Sequence, residues 1–427
     1  MEFGGLIALG VLFAALFLNV PIAFSLGVAT YATLIITNVV PMTMPIQKFF
    51  TSGDSFPLLA VPFFVLAGEI MARGGISKQL VDFGKSIFGG ITGSLGMITV
   101  FTCAIFAAIS GSGPATVAAI GGIMVPYMKK DGYDPAYAAT LAACGGTLGP
   151  VIPPSIVMIM YGVVANISIT DLFLAGIVPG LLTMVVLMIT TYIVSKKYGF
   201  GERDSNFVFS IRYIIHSFWK AKWAILMPVI ILGGIYSGVF TPTEAAVIAC
   251  VYGLIISIFV TKELKVNELP QTFVNSALTN GTAVIMVGCA MAFGEMLTML
   301  RIPGVLAAFI QGMTDSKIVV LLMINILLLL VGMFMETLSA VLILAPLLLT
   351  IVRPFGVDPI HFGLIMTVNL VIGQITPPVG VNLFIGSRIG NVKVEQMFKW
   401  LPLFLGVLIT AIMIVTYVPA LSLFLIR

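Results

Sequence analysis

Two stretches of this sequence combine small hydroxyl side chains, glycines and paired prolines in a pattern suited to holding a monovalent cation. In the first, Ser110 and Ser112 stand in Ser-Gly-Ser-Gly-Pro, followed later by Gly149, Ile152 and Pro154 in Gly-Pro-Val-Ile-Pro-Pro. In the second, Thr337 and Ser339 precede Gly373, Thr376 and Pro378. Proline has no N–H, so it frees carbonyls about one turn earlier, and serine and threonine hydroxyls add further neutral oxygens. Such oxygens suit sodium, whereas divalent ions prefer carboxylate or imidazole clusters, which neither stretch contains. We therefore expect two pseudo-symmetric sodium sites. One uses Ser110, Ser112 and the carbonyls of Gly149, Ile152 and Pro154; the other uses Thr337, Ser339, Gly373, Thr376 and Pro378. A single cluster of this kind would serve close helix packing equally well. Two matched clusters, each with paired prolines, favour the ion.

The copies differ at one informative position. Asn382, one turn after the second proline pair, matches Met158 in the first. A one-sided polar group is what an organic solute needs, although an interhelical hydrogen bond would also explain it. Ser155, directly after the first pair, joins Asn382 among the expected substrate contacts. The helix N-termini that follow each pair present positive dipole ends to the same region, favouring an anion. Arg388 is a third candidate, but it lies about 15 Å along a helix beyond Pro378. It is therefore open to two readings, substrate attraction and snorkelling to the interface. Glu69, Glu244 and Glu295 read as structural pairs rather than a proton relay, and His216 and His361 have no partner that suggests catalysis.

These residues need elements that break inside the membrane. Gly132, Asp134, Pro135, Gly149, Pro153 and Pro154 recur with the same spacing as Gly356, Asp358, Pro359, Gly373, Pro377 and Pro378. This is an internal duplication. Lipid tolerates no unsatisfied backbone, so an interruption at depth must be buried in protein or line a cavity, typically around a solute. Before each Gly-x-Asp-Pro lies a stretch that reads as a re-entrant hairpin, about 101–128 and 318–351. Glycine costs roughly 1 kcal/mol and proline roughly 3 in a helix interior, so the chain must turn at Ser110–Pro114. The interrupted helices then cover about 136–165 and 360–388.

Composition sets the environment. With 59% hydrophobic and 9% charged residues and a mean hydropathy of +1.16, the chain is an all-α polytopic membrane protein, with about ten to twelve crossings or half-crossings. Its start lacks a basic n-region and cleavage site, so we expect the first helix to be retained. A net charge of +4 is too small and scattered for nucleic acid. Cys103, Cys144, Cys250 and Cys289 lie in apolar contexts and read as packing residues. A basic connector, residues 195–222, separates a first repeat (1–194) from a second (223–427). Basic loops stay in the cytoplasm, with Trp219 and Trp223 at the interface and Phe207, Phe209 and Ile211 giving the connector an apolar side. Gly68-Glu69 matches Gly294-Glu295, and Val20-Pro21 matches Thr241-Pro242. Lys129 and Lys130 precede the first Gly-x-Asp-Pro, whereas the second has only Arg353. That asymmetry predicts repeats of opposite topology, as in an elevator-type transporter.

The motifs Ser110-Gly-Ser-Gly-Pro-Ala-Thr116, Gly149-Pro-Val-Ile-Pro-Pro-Ser155, Phe240-Thr-Pro-Thr-Glu-Ala-Ala246 and Ile375-Thr-Pro-Pro-Val-Gly-Val-Asn-Leu383 together resemble the large membrane subunit of tripartite ATP-independent periplasmic (TRAP) transporters, over essentially the whole chain. The resemblance implies a bacterial inner-membrane protein in which a transport domain with two hairpins slides against a scaffold, carrying substrate and sodium together. It also implies a small four-helix membrane subunit, expected here as a separate polypeptide, and a periplasmic substrate-binding protein. Family substrates are carboxylates; the chain resembles the sialic-acid (N-acetylneuraminate) group, with C4-dicarboxylates as the alternative. Two other classes compete. An intramembrane hydrolase would use Ser112 as nucleophile but needs a base, and an ion channel would use the oxygen-lined breaks as a filter.

Overall fold

A computed structural model describes residues 2–18, 20–38, 40–201 and 210–427. The first half runs through α1 (Glu2–Phe17), α2 (Ile22–Thr37), α3 (Met44–Gly53), α4 (Ala60–Arg73), α5 (Ile76–Phe88) and α6 (Ser94–Ser110). It continues with α7 (Gly113–Thr116), a π-helical turn at Val117–Gly121, α8 (Gly122–Lys130), α9 (Pro135–Gly146), α10 (Leu148–Val151), α11 (Ile156–Ala165) and α12 (Ile169–Tyr198). The second half has α13 (Ile211–Tyr236), α14 (Pro242–Ile255), α15 (Leu269–Met299), α16 (Ile302–Met313), α17 (Lys317–Phe334), α18 (Thr337–Val352), α19 (Pro359–Gly373) and α20 (Val381–Gly390). Helix Leu401–Tyr417 follows near the C-terminus. Among the described residues, 8 helices are long and apolar enough to cross a membrane, and shorter apolar helices accompany them.

Both expected hairpins are present. The first has arms α6 and α7–α8 around a tip at Gly111-Ser112, and the second has α17 and α18 around Met335-Glu336. Gly111 turns the chain with a φ of 60°, a conformation glycine adopts without steric cost. Both interruptions are present too, between α10 and α11 and between α19 and α20, and the peptide bonds Pro153–Pro154 and Pro377–Pro378 are cis. Asp134 and Asp358 start their helices as N-caps, accepting from the N–H groups of Ala136 and Ile360 at 2.8 Å each. This satisfies donors that a helix start leaves orphaned.

Packing establishes the inversion that charge suggested. The end of α20 lies at the start of α9: a Cβ on Gly390 would lie 2.8 Å from Ala139 and 3.6 Å from the Pro135 carbonyl. The start of α20 lies at the end of α9, where a Cβ on Gly146 would meet Asn382 Nδ2 at 3.1 Å. The same holds for the other halves. Tyr161, in the second half of α11, donates to the Pro359 carbonyl at the start of α19 at 2.7 Å, while Ile156 at the start of α11 lines the same cavity as Gln374 just past the end of α19. Each half-helix thus runs antiparallel to the opposite half of its twin, so the two interrupted helices cross the membrane in opposite senses.

One end of this arrangement is rich in lysine. Lys129 donates to the Gly390 carbonyl at 3.0 Å, Lys399 pairs with Asp134 at 3.9 Å, and Lys196 and Lys197 close α12. Opposite them, Lys317 donates to the Gly356 carbonyl and Arg427 pairs with Asp358. The lysine-rich end is placed in the cytoplasm.

Of the described residues of the basic connector, α12 carries the first to Tyr198, and α13 begins at Ile211, its N-cap Ser210 accepting from the Tyr213 N–H. Within α13, Lys222 lies over the rings of Trp219 and Trp223. Glu202, Arg203, Asp204, Phe207 and Phe209 lie outside the described residues.

The helices pack as two bodies that meet where α4 and α5 lie on α6 and where α15 and α16 lie on α18. In one, α4 and α14 run parallel, joined by bonds at heptad spacing: Thr243, Cys250 and Ser257 donate to the carbonyls of Phe56, Phe63 and Ile70. The helices α1–α3, α5, α13 and α15 pack around this pair. In the other, α9 packs on α20, α17 on α19, and α11 on α18, with α12 and Leu401–Tyr417 outside them.

Candidate functional site

Between the bodies lies a cavity of about 700 Å³. The tip of hairpin 1 (Ser110 to Ala115), the tip of hairpin 2 (Glu336, Leu338, Ser339) and Gln374 of the second interruption line one wall; α4 and the Thr279–Met286 stretch of α15 line the other. Its lining continues down hairpin 1 to Ala119 and down α4 to Arg73, both on the cytoplasmic side, so the cavity opens inward.

Each hairpin lies against its own interrupted helix because glycine leaves the room. A Cβ on Gly149 would lie 2.5 Å from the Ser112 carbonyl, and one on Gly111 would lie 2.8 Å from the Pro154 carbonyl. In the second repeat Gly373 and Gly332 are in backbone contact, at 2.4 Å by the same measure.

The structure therefore brings Ser110, Ser112, Gly149 and Pro154 together, and Ile152 sits in the same interruption. Their polar groups are mutually bonded: Ser110 and Thr116 hydroxyls lie 3.1 Å apart, and Thr116 donates to the Ser112 carbonyl at 2.8 Å. Thr116 is a hydroxyl that sequence reasoning passed over, although it stands one turn after Ser112. The N–H groups that would reach the carbonyls of Gly149 and Gly373 along a continuous helix are missing at Pro153 and Pro377.

The second set is looser. Thr337 accepts from Gln374 at 2.7 Å, next to Gly373. Thr376 donates to the Ile372 carbonyl, and the Gly373 carbonyl accepts from the Thr376 N–H at 2.9 Å. Ser339 turns instead to Met286 of α15 and to Glu336. Pro378 is exposed, whereas Pro153 and Pro154 are buried. Uncharged oxygens dominate both sets, and among the described residues no cluster of His, Cys, Asp and Glu could hold a metal. The residues fit sodium better than a divalent ion.

The expected substrate contacts are dispersed. Asn382 is 0% exposed, and neither its Oδ1 nor its Nδ2 has a partner. It lies behind the cavity wall, where Gly113 of hairpin 1, Gly146 and Gln374 meet. Buried amide atoms left unpaired are costly, and Gln374 Oε1 beside it is unpaired as well. Ser155 is buried and caps α11, accepting from the Met158 N–H at 3.3 Å. Arg388 is exposed near the end of α20, away from the cavity lining, which accords with snorkelling.

Glu69 pairs with Arg73 at 2.9 Å, Glu295 with Lys48 at 3.0 Å, and Glu244 closes a capping box with Thr241. Glu69, Arg73, Asn280 and Glu336 line the cavity, a role sequence reasoning did not give them. A hydrolase reading of Ser112 lacks its base: His361 is held by Ser422 and the Thr416 carbonyl, and His216 is exposed on α13.

The profile described as tripartite ATP-independent periplasmic transporter, DctM component, matches residues 9–421. The chain belongs to this family. It is 47% identical over 96% of its length to the isethionate TRAP transporter permease protein DctMQ of Oleidesulfovibrio alaskensis, of whose length it spans 65%. The C4-dicarboxylate TRAP transporter large permease protein DctM of Pseudomonas aeruginosa is 41% identical, with 93% of each chain covered. The sialic acid TRAP transporter permease protein SiaT of Haemophilus influenzae is 37% identical over 97% of this chain and 68% of its own. Among solved structures, the Alcanivorax borkumensis YdaH transporter superposes with a TM-score of 0.64 at 15% identity, covering 88% of this DctM-family chain and 86% of its own. Neisseria gonorrhoeae MtrF gives 0.60 at 14%, covering 87% and 83%. These two likenesses concern the fold alone.

Proposed function

We propose that this chain carries out sodium-coupled uptake of a small organic acid, by sliding its hairpin-bearing body against the scaffold. The observation that supports this reading best is the convergence of both hairpin tips and Gln374, from the second interruption, on one inward-open cavity. The acid is received from a periplasmic binding protein, and a small four-helix membrane subunit braces the scaffold. Relatives named for isethionate, C4-dicarboxylates and sialic acid share an anionic head. Identity is higher to the isethionate permease than to the sialic-acid permease, so isethionate heads the list of acids to test, ahead of the sialic acid expected from the motifs.

The gradients suffice for such coupling. Two sodium ions with a monoanion move one net charge inward, contributing about 2.3 kcal/mol per 100 mV. Two tenfold sodium gradients add about 2.8 kcal/mol, so about 5 kcal/mol sustains roughly a thousandfold or greater accumulation.

The test is uptake into proteoliposomes supplied with the small subunit and the binding protein, using radiolabelled isethionate, succinate and N-acetylneuraminate. Saturable uptake of one acid that requires both an inward sodium gradient and the binding protein is expected. Passive, non-saturating flux independent of the binding protein would replace the transporter reading with a channel.

A further inference from the structure

The charged lining of the cavity poses a problem for an anion. Among the described residues that line it, Glu69 and Glu336 are acids and Arg73 is the single base. Arg73 stands on α4, which the bonds from Thr243, Cys250 and Ser257 fix to the scaffold. Its recorded bond runs from Nε to Glu69 Oε1 at 2.9 Å. The two terminal nitrogens of the guanidinium thus remain for a second acid, in the planar geometry that suits a carboxylate or sulfonate.

The duplication supplies a counterpart. Glu295 is the repeat equivalent of Glu69 and is paired with Lys48, and the four side chains have closely similar exposures, 34% and 34% against 33% and 35%. The second pair lies roughly 22 Å further along α15 than the cavity residue Asn280, towards the periplasm. In this inward-open state Gly68 abuts the hairpin 1 tip at Ser110, with a Cβ 3.3 Å from its Cα, whereas Gly294 faces Pro346, well down the arm of hairpin 2. Exchanging the roles of inverted repeats gives the other state of a transporter. There, the tip of hairpin 2 meets Gly294, and Glu295 and Lys48 border the open cavity.

We propose that Arg73 and Lys48 are substrate-contacting scaffold cations, one for each side of the membrane, each parked on a glutamate until the acid arrives. Arg73 takes the acid group only in the state open to the cytoplasm, and Lys48 only in the state open to the periplasm. Because neither cation travels with the sliding body, each adds affinity on its own side and leaves the sodium sites alone. This inference rests on the proposed acid transport and refines it.

Half-saturation for radiolabelled isethionate would be measured on each side of proteoliposomes: externally in binding-protein-driven uptake, internally in exchange from preloaded vesicles. Arg73→Gln is expected to raise the internal value about tenfold, the loss of one charge-assisted hydrogen bond, with the external value and the half-saturating sodium unchanged. Lys48→Gln is expected to do the reverse, and Arg73→Lys to restore part of the internal affinity, which also shows that the site is folded. Unchanged half-saturation on both sides in both variants, or equal shifts on both sides, would overturn the assignment. If the wild-type chain moved none of the acids, the transport reading itself would fall first.

Discussion

At the scale of single residues, the sequence named hydroxyls and carbonyls, and their surroundings now separate their roles. Ser112 is held at the hairpin 1 tip against Gly149, and Thr376 stands in the second interruption, so Ser112→Ala and Thr376→Ala are each expected to raise half-saturating sodium by about tenfold, the equivalent of one lost ligand of roughly 1.4 kcal/mol. Sodium titration of uptake checks this, and an unmoved titration in both variants would remove the ion assignment. Asn382 makes a different prediction. Its amide is buried without protein partners, so Asn382→Ala removes an unsatisfied group rather than a bond. Uptake should fall at least tenfold while the protein still assembles in the membrane, as size-exclusion chromatography in detergent would show. Normal uptake would reject Asn382 as a transport residue.

At the scale of elements, the hairpins and interrupted helices stand in backbone contact, which only glycine permits. Ala at 149 would set a Cβ 2.5 Å from the Ser112 carbonyl, backbone against backbone, with no flexible side chain to yield. Gly149→Ala should therefore cost about 1–3 kcal/mol and abolish sodium-dependent uptake. Gly122, in the return arm of hairpin 1, has open space where a Cβ would go, and Gly122→Ala should transport normally. Equal activity of the two variants would mean that the tip-to-helix contact is dispensable. The elements themselves were legible because proline, glycine and Asp-Pro caps act locally. The cavity-facing role of Glu69 and Arg73 was not: an i, i+4 ion pair has the same pattern on any helix face, and only the opposite wall makes it part of a site.

At the scale of the whole molecule, the inverted repeats predict the size of the motion. Gly294 now faces Pro346, and in the exchanged state it should face the hairpin 2 tip beside Glu336. That displacement is about 15 Å along α18. With Cys103, Cys144, Cys250 and Cys289 replaced, cysteines at Gly294 and Met335 should cross-link during turnover and fail to do so in the inward-open state. Cross-linking that never appears under any sodium or substrate condition would refute a stroke of this size.

The sequence by itself determined the membrane class, the duplication and the places where helices must stop, because hydropathy, proline and glycine act through the backbone within a few residues. Lysines on one loop and not its twin also pointed to opposite topology. The tertiary structure decided the rest. It put Asn382 behind the wall and Arg388 outside, turned Ser339 toward Met286 of α15, and brought Arg73 and Glu336 to one cavity. Which face of a helix meets which neighbour depends on packing between segments hundreds of residues apart, and nothing in a local pattern records it.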